Sequence, residues 1–125
     1  MKERMLVVGD VHGRDNLLEG ILVEAGVCAL RADGSLAGTA RPDDLLVHVG
    51  DLMNCVLSSE AGDLRCLKIA VEHFDAVLVG NHEHPLLGGP PFSGFFPHTA
   101  VREAYSLALA SGLIVPAVVG PDGVL

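Results

Sequence analysis

The chain has 125 residues, of which 50% are hydrophobic, and a formal net charge of −8. This length fits one domain over residues 1–125, and the apolar content is too high for a disordered chain. The apolar runs are too short for a membrane span, the eight basic residues are scattered, and only 4% of residues are aromatic, so the composition disfavours a membrane protein and a nucleic-acid binder. No signal peptide is expected, and three cysteines without a CxxC pair favour reduced thiols in the cytoplasm.

The hydrophobic pattern predicts strands alternating with helices. In chain order it predicts a strand at 5–8, a helix over 15–25, a hairpin or ordered turn within 27–40, a strand at 45–49, a helix over 59–73, a strand at 76–79, an irregular loop over 85–98, a helix over 99–111, a strand over 113–119 and a turn at 121–123 before a further strand. Ser58 or Ser59 is the expected N-cap of the second helix. This β-α-β-α-β order predicts an α/β fold with a mainly parallel sheet.

Three of the predicted strands end in similar polar clusters. These are Gly9-Asp10-Val11-His12-Gly13, Gly50-Asp51-Leu52-Met53-Asn54 and Gly80-Asn81-His82-Glu83. Because ligands bind outside the carboxyl ends of parallel strands, we expect the three clusters to meet in space. The glycines would let the backbone turn sharply at each strand end. Carboxylate, imidazole and amide groups without thiolates favour Mn, Fe, Zn or Mg as the bound metal.

Two of these side chains are expected to point the same way. Asp10 and His12 are two residues apart, and side chains at that spacing share one side of an extended backbone. The sequence therefore predicts that they act together on one ligand.

The three clusters resemble the first signature blocks of the calcineurin-like metallophosphoesterases. That family has the pattern D-x-H-G, then G-D-x-x-D/N, then G-N-H-E, and it includes serine/threonine protein phosphatases and dinucleoside tetraphosphatases. The match covers about residues 5–84, which corresponds to the N-terminal half of the family fold. The resemblance implies metal-dependent hydrolysis of a phosphate ester by a metal-bridging hydroxide.

The resemblance also implies a role for each matching residue. Asp10 and His12 would bind the first of two divalent metal ions, Asp51 would bridge both, and Asn81 would bind the second. His82 would be the catalytic residue, either as general acid for the leaving alkoxide or as a stabiliser of the transferring phosphoryl group.

Other positions depart from the family pattern. Asn54 and Cys55 stand where protein phosphatases carry an aspartate that orients the catalytic histidine and an arginine that binds phosphate. Arg14 is a candidate phosphate ligand, with solvation of a helix start as the alternative, and Glu83 is interpreted as a supporting residue around the site.

The histidines that the family contributes from later strands are absent. The second metal site is therefore expected to be incomplete, and the domain is expected to be truncated at its C-terminus. His84 and His98 are candidate substitutes for the missing ligands, with lining of the loop as the favoured alternative for each.

Two functional hypotheses follow from these residues. The first is a metallophosphoesterase acting on a phosphoester substrate. The second is a catalytically impaired fragment, pseudoenzyme or subunit that retains a partial metal site and acts as a binding module. Because the family packs a second sheet against the first, the resemblance also predicts that one sheet face lacks its cover. A homodimer or a partner chain would then cover that face.

Overall fold

The computed structural model describes residues 4–53, 58–80, 82–87, 98–120 and 123–124. Its elements in chain order are β1 (Arg4–Val8), α1 (Asp15–Glu24), β2 (Cys28–Leu30), β3 (Leu36–Gly38), β4 (Asp44–His48), α2 (Glu60–His73), β5 (Ala76–Leu78), a 3₁₀ helix (His84–Leu87), α3 (Thr99–Ala110), β6 (Ile114–Val115), β7 (Val119–Gly120) and β8 (Gly123–Val124). None of the helices in these ranges has both the length and the apolar character needed to cross a bilayer.

The central feature is a four-stranded parallel sheet in the order β1-β4-β5-β6, which confirms the predicted α/β class. The order follows the chain, so each crossover moves one strand further in the same direction. Parallel crossovers are right-handed, and right-handed steps that never reverse place all their helices on one side of the sheet. The carboxyl ends of all four strands consequently lie along one edge.

The helix-covered face of the sheet forms the main core. Its cluster joins side chains from the strands and from α1, α2 and α3, including Val8, Leu46, Val77, Ile114, Leu18, Leu22, Leu67, Ala70, Val101 and Tyr105. The side chains come from alternate positions of each strand, as expected for a pleated sheet. The burial of these apolar side chains is therefore the main interaction that holds the three helices against the sheet.

The opposite face of the sheet is also apolar. Val47, Ala76 and Leu78 form its buried centre, and Met5, Leu45, Val49, Val115 and Val118 pack around them. No residue of α1, α2 or α3 belongs to this cluster, and Val7 at its margin is 47% exposed. The prediction that a second chain covers this face stays a prediction.

Most predicted elements are found near their predicted bounds. The hairpin is β2 paired antiparallel with β3, and the N-cap of α2 is Ser59, whose hydroxyl accepts a hydrogen bond of 2.9 Å from the Gly62 amide. Two predictions are wrong. The single strand over 113–119 is divided into β6 and β7, because Pro116 has no N–H to offer a sheet. Residues 85–87, which were predicted to begin an irregular loop, belong instead to the 3₁₀ helix. Residues 88–97 and most of the 121–123 turn lie outside the described residues.

A paired charge joins the starts of β1 and β4. Nε and the second guanidinium nitrogen of Arg4 donate to the two carboxylate oxygens of Asp44, each at 2.8 Å, and the Arg41 amide donates to the same carboxylate at 3.0 Å. The hydrogen bonds from Arg4 lower the pKa of the Asp44 carboxyl to about 2. This pair therefore favours the folded state whenever Asp44 is ionised.

We predict that Asp44→Asn lowers the free energy of unfolding at neutral pH. Since the folded pKa is about 2 and the ordinary value is 3.8, the stabilisation is complete above about pH 4 and is lost as the pH falls toward 2. The variant should thus lose part of the acid dependence of stability in this interval. Urea unfolding between pH 2 and 7 measures it, with Asp43→Asn as the matched control. Equal acid dependence in Asp44→Asn and the wild type would contradict the prediction.

Candidate metal centre

The three polar clusters meet at the carboxyl edge of the sheet, and Asp51 holds them together. The His12 amide donates to the Asp51 carbonyl at 3.0 Å, and the Gly13 amide donates to the Leu52 carbonyl at 2.8 Å. From the third cluster, the His82 amide donates to Asp51 Oδ1 at 2.9 Å. Asp51 therefore binds the first cluster through its backbone and the third through its side chain.

The glycines of the three clusters differ in what they do. Gly50 has φ +104°, and a Cβ there would lie 2.7 Å from the Gly80 amide nitrogen. A Cβ on Gly80 would lie 2.9 Å from Asp51 Cγ and closer still to the Asp51 amide nitrogen. A Cβ on Gly9 would meet nothing within 4 Å. Gly9 therefore lacks the close backbone approach that Gly50 and Gly80 share.

Two of the predicted ligands have unusual backbone conformations. His12 has φ +51° and Asp51 has φ +52°, in the left-handed region that non-glycine residues rarely occupy. Such a conformation costs roughly 1–3 kcal/mol per residue and is concentrated at functional sites. The hydrogen bonds from the His12 and His82 amides to Asp51 help to hold both residues in place.

The side chains of His12, Asp51 and His82 converge. Each offers one ligand atom, and these atoms lie within 4.8 Å of one another. The rings of His12 and His82 meet edge to face with their centroids 4.7 Å apart. His12 Nδ1 is buried and has no hydrogen-bond partner among the described residues.

This arrangement fits a divalent cation. Metal–ligand distances of ~2.0–2.2 Å allow ligand atoms to lie up to ~4.4 Å apart, so the observed spacing needs only a small contraction. An ion bound to the buried His12 nitrogen would also satisfy the orphaned acceptor. The donor set of two imidazoles and a carboxylate is suited to Zn, Mn or Fe.

Asp10 lies beside this group but is not part of it. Its Oδ2 is 3.7 Å from His12 Nε2, and its side chain is 51% exposed. The backbone here is not extended as predicted, because His12 and Gly13 form a turn with positive φ, but the two side chains do lie side by side. With half of its side chain exposed, Asp10 lies on the solvent side of the cluster.

The other predicted site residues are placed as follows. Asn54 and Asn81 lie outside the described residues, as does Cys55. Arg14 is exposed, its Nε donates to the Val11 carbonyl at 3.4 Å, and it lines a cavity of about 380 Å³ together with Ser58 and Ser59. His98 Nδ1 lies 3.6 Å from a carboxylate oxygen of Glu60, outside the ligand group. The side chain of His84 is not described.

Glu83 lies fully buried behind the cluster. One carboxylate oxygen accepts from the Gly80 amide at 3.2 Å and the other from the Met53 amide at 3.4 Å. Burial raises the pKa of Glu83 to about 7, although these two hydrogen bonds act in the opposite direction. The carboxyl group thus joins the second cluster to the third from the inside of the protein.

His48 also supports the second cluster. It is fully buried at the end of β4, and its Nδ1 accepts a hydrogen bond of 3.1 Å from the Gly50 amide. Burial lowers the pKa of His48 to about 4, so the imidazole is neutral at pH 7. The neutral ring can therefore accept the hydrogen bond from the Gly50 amide. In the sequence, the sign of this contact is a histidine at a strand end with a glycine two residues later.

Comparison with known families agrees with this geometry. The family model for the calcineurin-like phosphoesterases matches residues 3–119. The chain therefore belongs to the calcineurin-like phosphoesterase family, as its three motifs predicted. The comparisons with curated proteins and with solved structures give no significant match.

The steric difference between the glycines gives a direct test of the centre. We predict that Gly80→Ala lowers metal affinity ~10–100-fold, because the added methyl group would collide with Asp51 and displace it. A loss of this size is typical of a metal ligand that loses a supporting contact. Gly9→Ala adds the same methyl group where nothing lies within 4 Å and should leave affinity unchanged. Calorimetric titration with Mn²⁺ or Zn²⁺ compares them. Equal affinities for the two variants would show that the close packing of Gly80 on Asp51 is unimportant.

Proposed function

We propose that this chain hydrolyses a phosphate ester with a divalent metal held by His12 and Asp51. The observation that carries the proposal is the convergence of His12, Asp51 and His82 at the carboxyl edge of the sheet. The chain also belongs to the calcineurin-like phosphoesterase family. Asp10 is proposed as a further ligand, from its position 3.7 Å from His12 Nε2. Asn81 is proposed as a ligand from the family resemblance alone.

A divalent ion bound there would lower the pKa of water toward neutrality and neutralise charge on the phosphate. The protein's own contribution is to hold the groups around it. The hydrogen bond from the His82 amide to Asp51 Oδ1 fixes the third cluster against the second, and the His82 ring lies beside the His12 ring at the centre. We propose that His82 donates a proton to the leaving alkoxide oxygen.

Arg14 is proposed to contact the anionic substrate. The chain is acidic, with a net charge of −8, so binding of an anion needs local positive charge. Arg14 immediately follows the Asp10–Gly13 cluster and lines the adjoining cavity with two serine hydroxyls. A guanidinium and hydroxyl groups are suitable partners for phosphate oxygens.

A binding module is the second candidate function, and the sparseness of the centre favours it. Within the described ranges, only His12, Asp51 and His82 form a group of histidine, cysteine or carboxylate ligands close enough to hold an ion. A hard divalent ion prefers about six ligands. On this alternative the chain binds at most one metal ion weakly and hydrolyses no phosphoester.

The two candidates are separated by activity and metal dependence. We predict that the Mn²⁺-supplemented chain hydrolyses p-nitrophenyl phosphate and that Asp51→Asn reduces kcat/KM by more than ~100-fold, the upper end of what a lost supporting partner costs a metal site. Asp33→Asn, in the β2–β3 turn, is the matched control and should keep full activity. Turnover that survives chelation would exclude the metal mechanism. Absence of turnover with Mn²⁺, Zn²⁺, Fe²⁺ and Mg²⁺ would favour the binding module.

The role of His82 needs its own experiment, because its position suits either a proton donor or a ligand. We predict that His82→Ala keeps the metal affinity of the wild type and lowers kcat ~10²–10⁴-fold, the usual contribution of a general acid. The loss should be larger for an alkyl phosphate than for p-nitrophenyl phosphate, since the poorer leaving group needs the proton more. If metal affinity falls by the same factor as kcat, His82 is a ligand and the proposed acid role is wrong.

A further inference from the structure

A groove runs between α2 and α3 on the side of the helices that faces away from the sheet. It has a volume of about 350 Å³, and Leu64, Ala104 and Ala108 contribute to its apolar lining. Val71 and Leu107 also line it and are 56% and 74% exposed. The patch therefore combines a depression with protruding apolar side chains, a combination that is typical of an interaction surface.

The charged side chains of this groove are Lys68 and Glu72. They are four residues apart on α2, so they lie on the same face of the helix. Lys68 makes no ion pair with any residue that the structure describes, and the Glu72 carboxylate lies 3.7 Å from His73 Nε2. A lysine N-terminal to a glutamate is the less favourable order for pairing within one helix. Both charges thus remain accessible at the groove.

We propose that this α2–α3 groove is a homodimer interface, in which two copies pack their helices as a four-helix arrangement with the two α2 helices antiparallel. In a two-fold contact, each residue that touches another across the axis is touched by it in return. Antiparallel α2 helices would therefore bring Lys68 against the partner's Glu72, and Glu72 against the partner's Lys68. One interface would contain this ion pair twice.

The choice of a second copy follows from the self-complementary character of the patch. A charged surface that binds itself must carry both signs of charge, and this one carries a lysine with a glutamate, together with two exposed apolar side chains beside a groove. Val71 and Leu107 of one copy would fill the groove of the other. An unlike partner would need no such balance on one patch.

The proposed interface leaves the metal centre open. The first turn of α2 packs against the metal clusters, since a Cβ on Gly62 would lie 2.6 Å from the Gly13 carbonyl oxygen. Lys68 and Glu72 lie six and ten residues further along, or roughly 9 and 15 Å along the helix axis. The interface is therefore independent of the proposed hydrolase function, and monomeric variants should keep the metal affinity of the wild type.

The test exchanges the charges and measures mass in solution by light scattering after size exclusion. The wild type should have twice the 13.0 kDa mass of one chain. Lys68→Glu and Glu72→Lys should each reduce the mass to that of one chain. An equimolar mixture of the two single variants should regain the doubled mass, because both cross-pairs become Glu with Lys. The double variant should also be a dimer, and Glu24→Lys on α1 is the control outside the groove.

The mixing step also excludes misfolding, since unfolded variants would not associate specifically on mixing. A wild type with the mass of one chain at every concentration tested would overturn the proposal. A dimer whose mass is insensitive to both charge reversals would overturn it as well, and would indicate association through the apolar sheet face. Single variants that stay monomeric when mixed would show that Lys68 and Glu72 do not face each other across the axis.

Discussion

The interaction on which the rest of the centre depends is the contact of Asp51 with two neighbouring loops. Its carbonyl accepts from the His12 amide, and its side chain accepts from the His82 amide. An ionised carboxylate has about four acceptor positions, so Asp51 can support the third loop and still offer an oxygen to a metal. The residue that the family resemblance assigns to the metal is therefore also the residue that brings the three clusters together. Removal of this carboxylate affects position and ligation at the same time.

Buried polar groups behind Asp51 make this arrangement possible. Glu83 and His48 are both fully buried, and each accepts hydrogen bonds from backbone amides of the turning loops. A buried carboxyl group is unfavourable unless it is hydrogen-bonded, and amides in sharp turns lack the regular partners of a sheet. The buried side chains thus supply acceptors to the loop amides, and the loop amides supply donors to the buried side chains. The raised pKa of Glu83 and the lowered pKa of His48 both record the desolvation that this support requires.

The sequence predicted the parts of this structure that depend on local pattern. Apolar runs ending in Gly-Asp or Gly-Asn are visible in one dimension, so the strands, the helices and the meeting of the three clusters could be predicted. Contacts between distant segments could not. Gly9 and Gly80 look alike in sequence, but only Gly80 packs against Asp51. Asp10 and His12 were expected to lie together along an extended backbone; they do lie together, but across a turn in which His12 is left-handed, which the sequence pattern did not predict. The support from Glu83 depends on a hydrogen bond that it accepts from the Met53 amide, thirty residues away, and no local pattern encodes this contact.

The sequential strand order has a consequence beyond the metal centre. Because the helices α1, α2 and α3 lie on one side of the sheet, the molecule has two unlike apolar features, the opposite sheet face and the α2–α3 groove. The sheet face carries a cluster of apolar side chains centred on Val47, Ala76 and Leu78. The groove adds Lys68 and Glu72, whose order along α2 allows only an antiparallel pairing between copies. Charge therefore gives a contact at the groove a defined orientation, which apolar burial alone would not give.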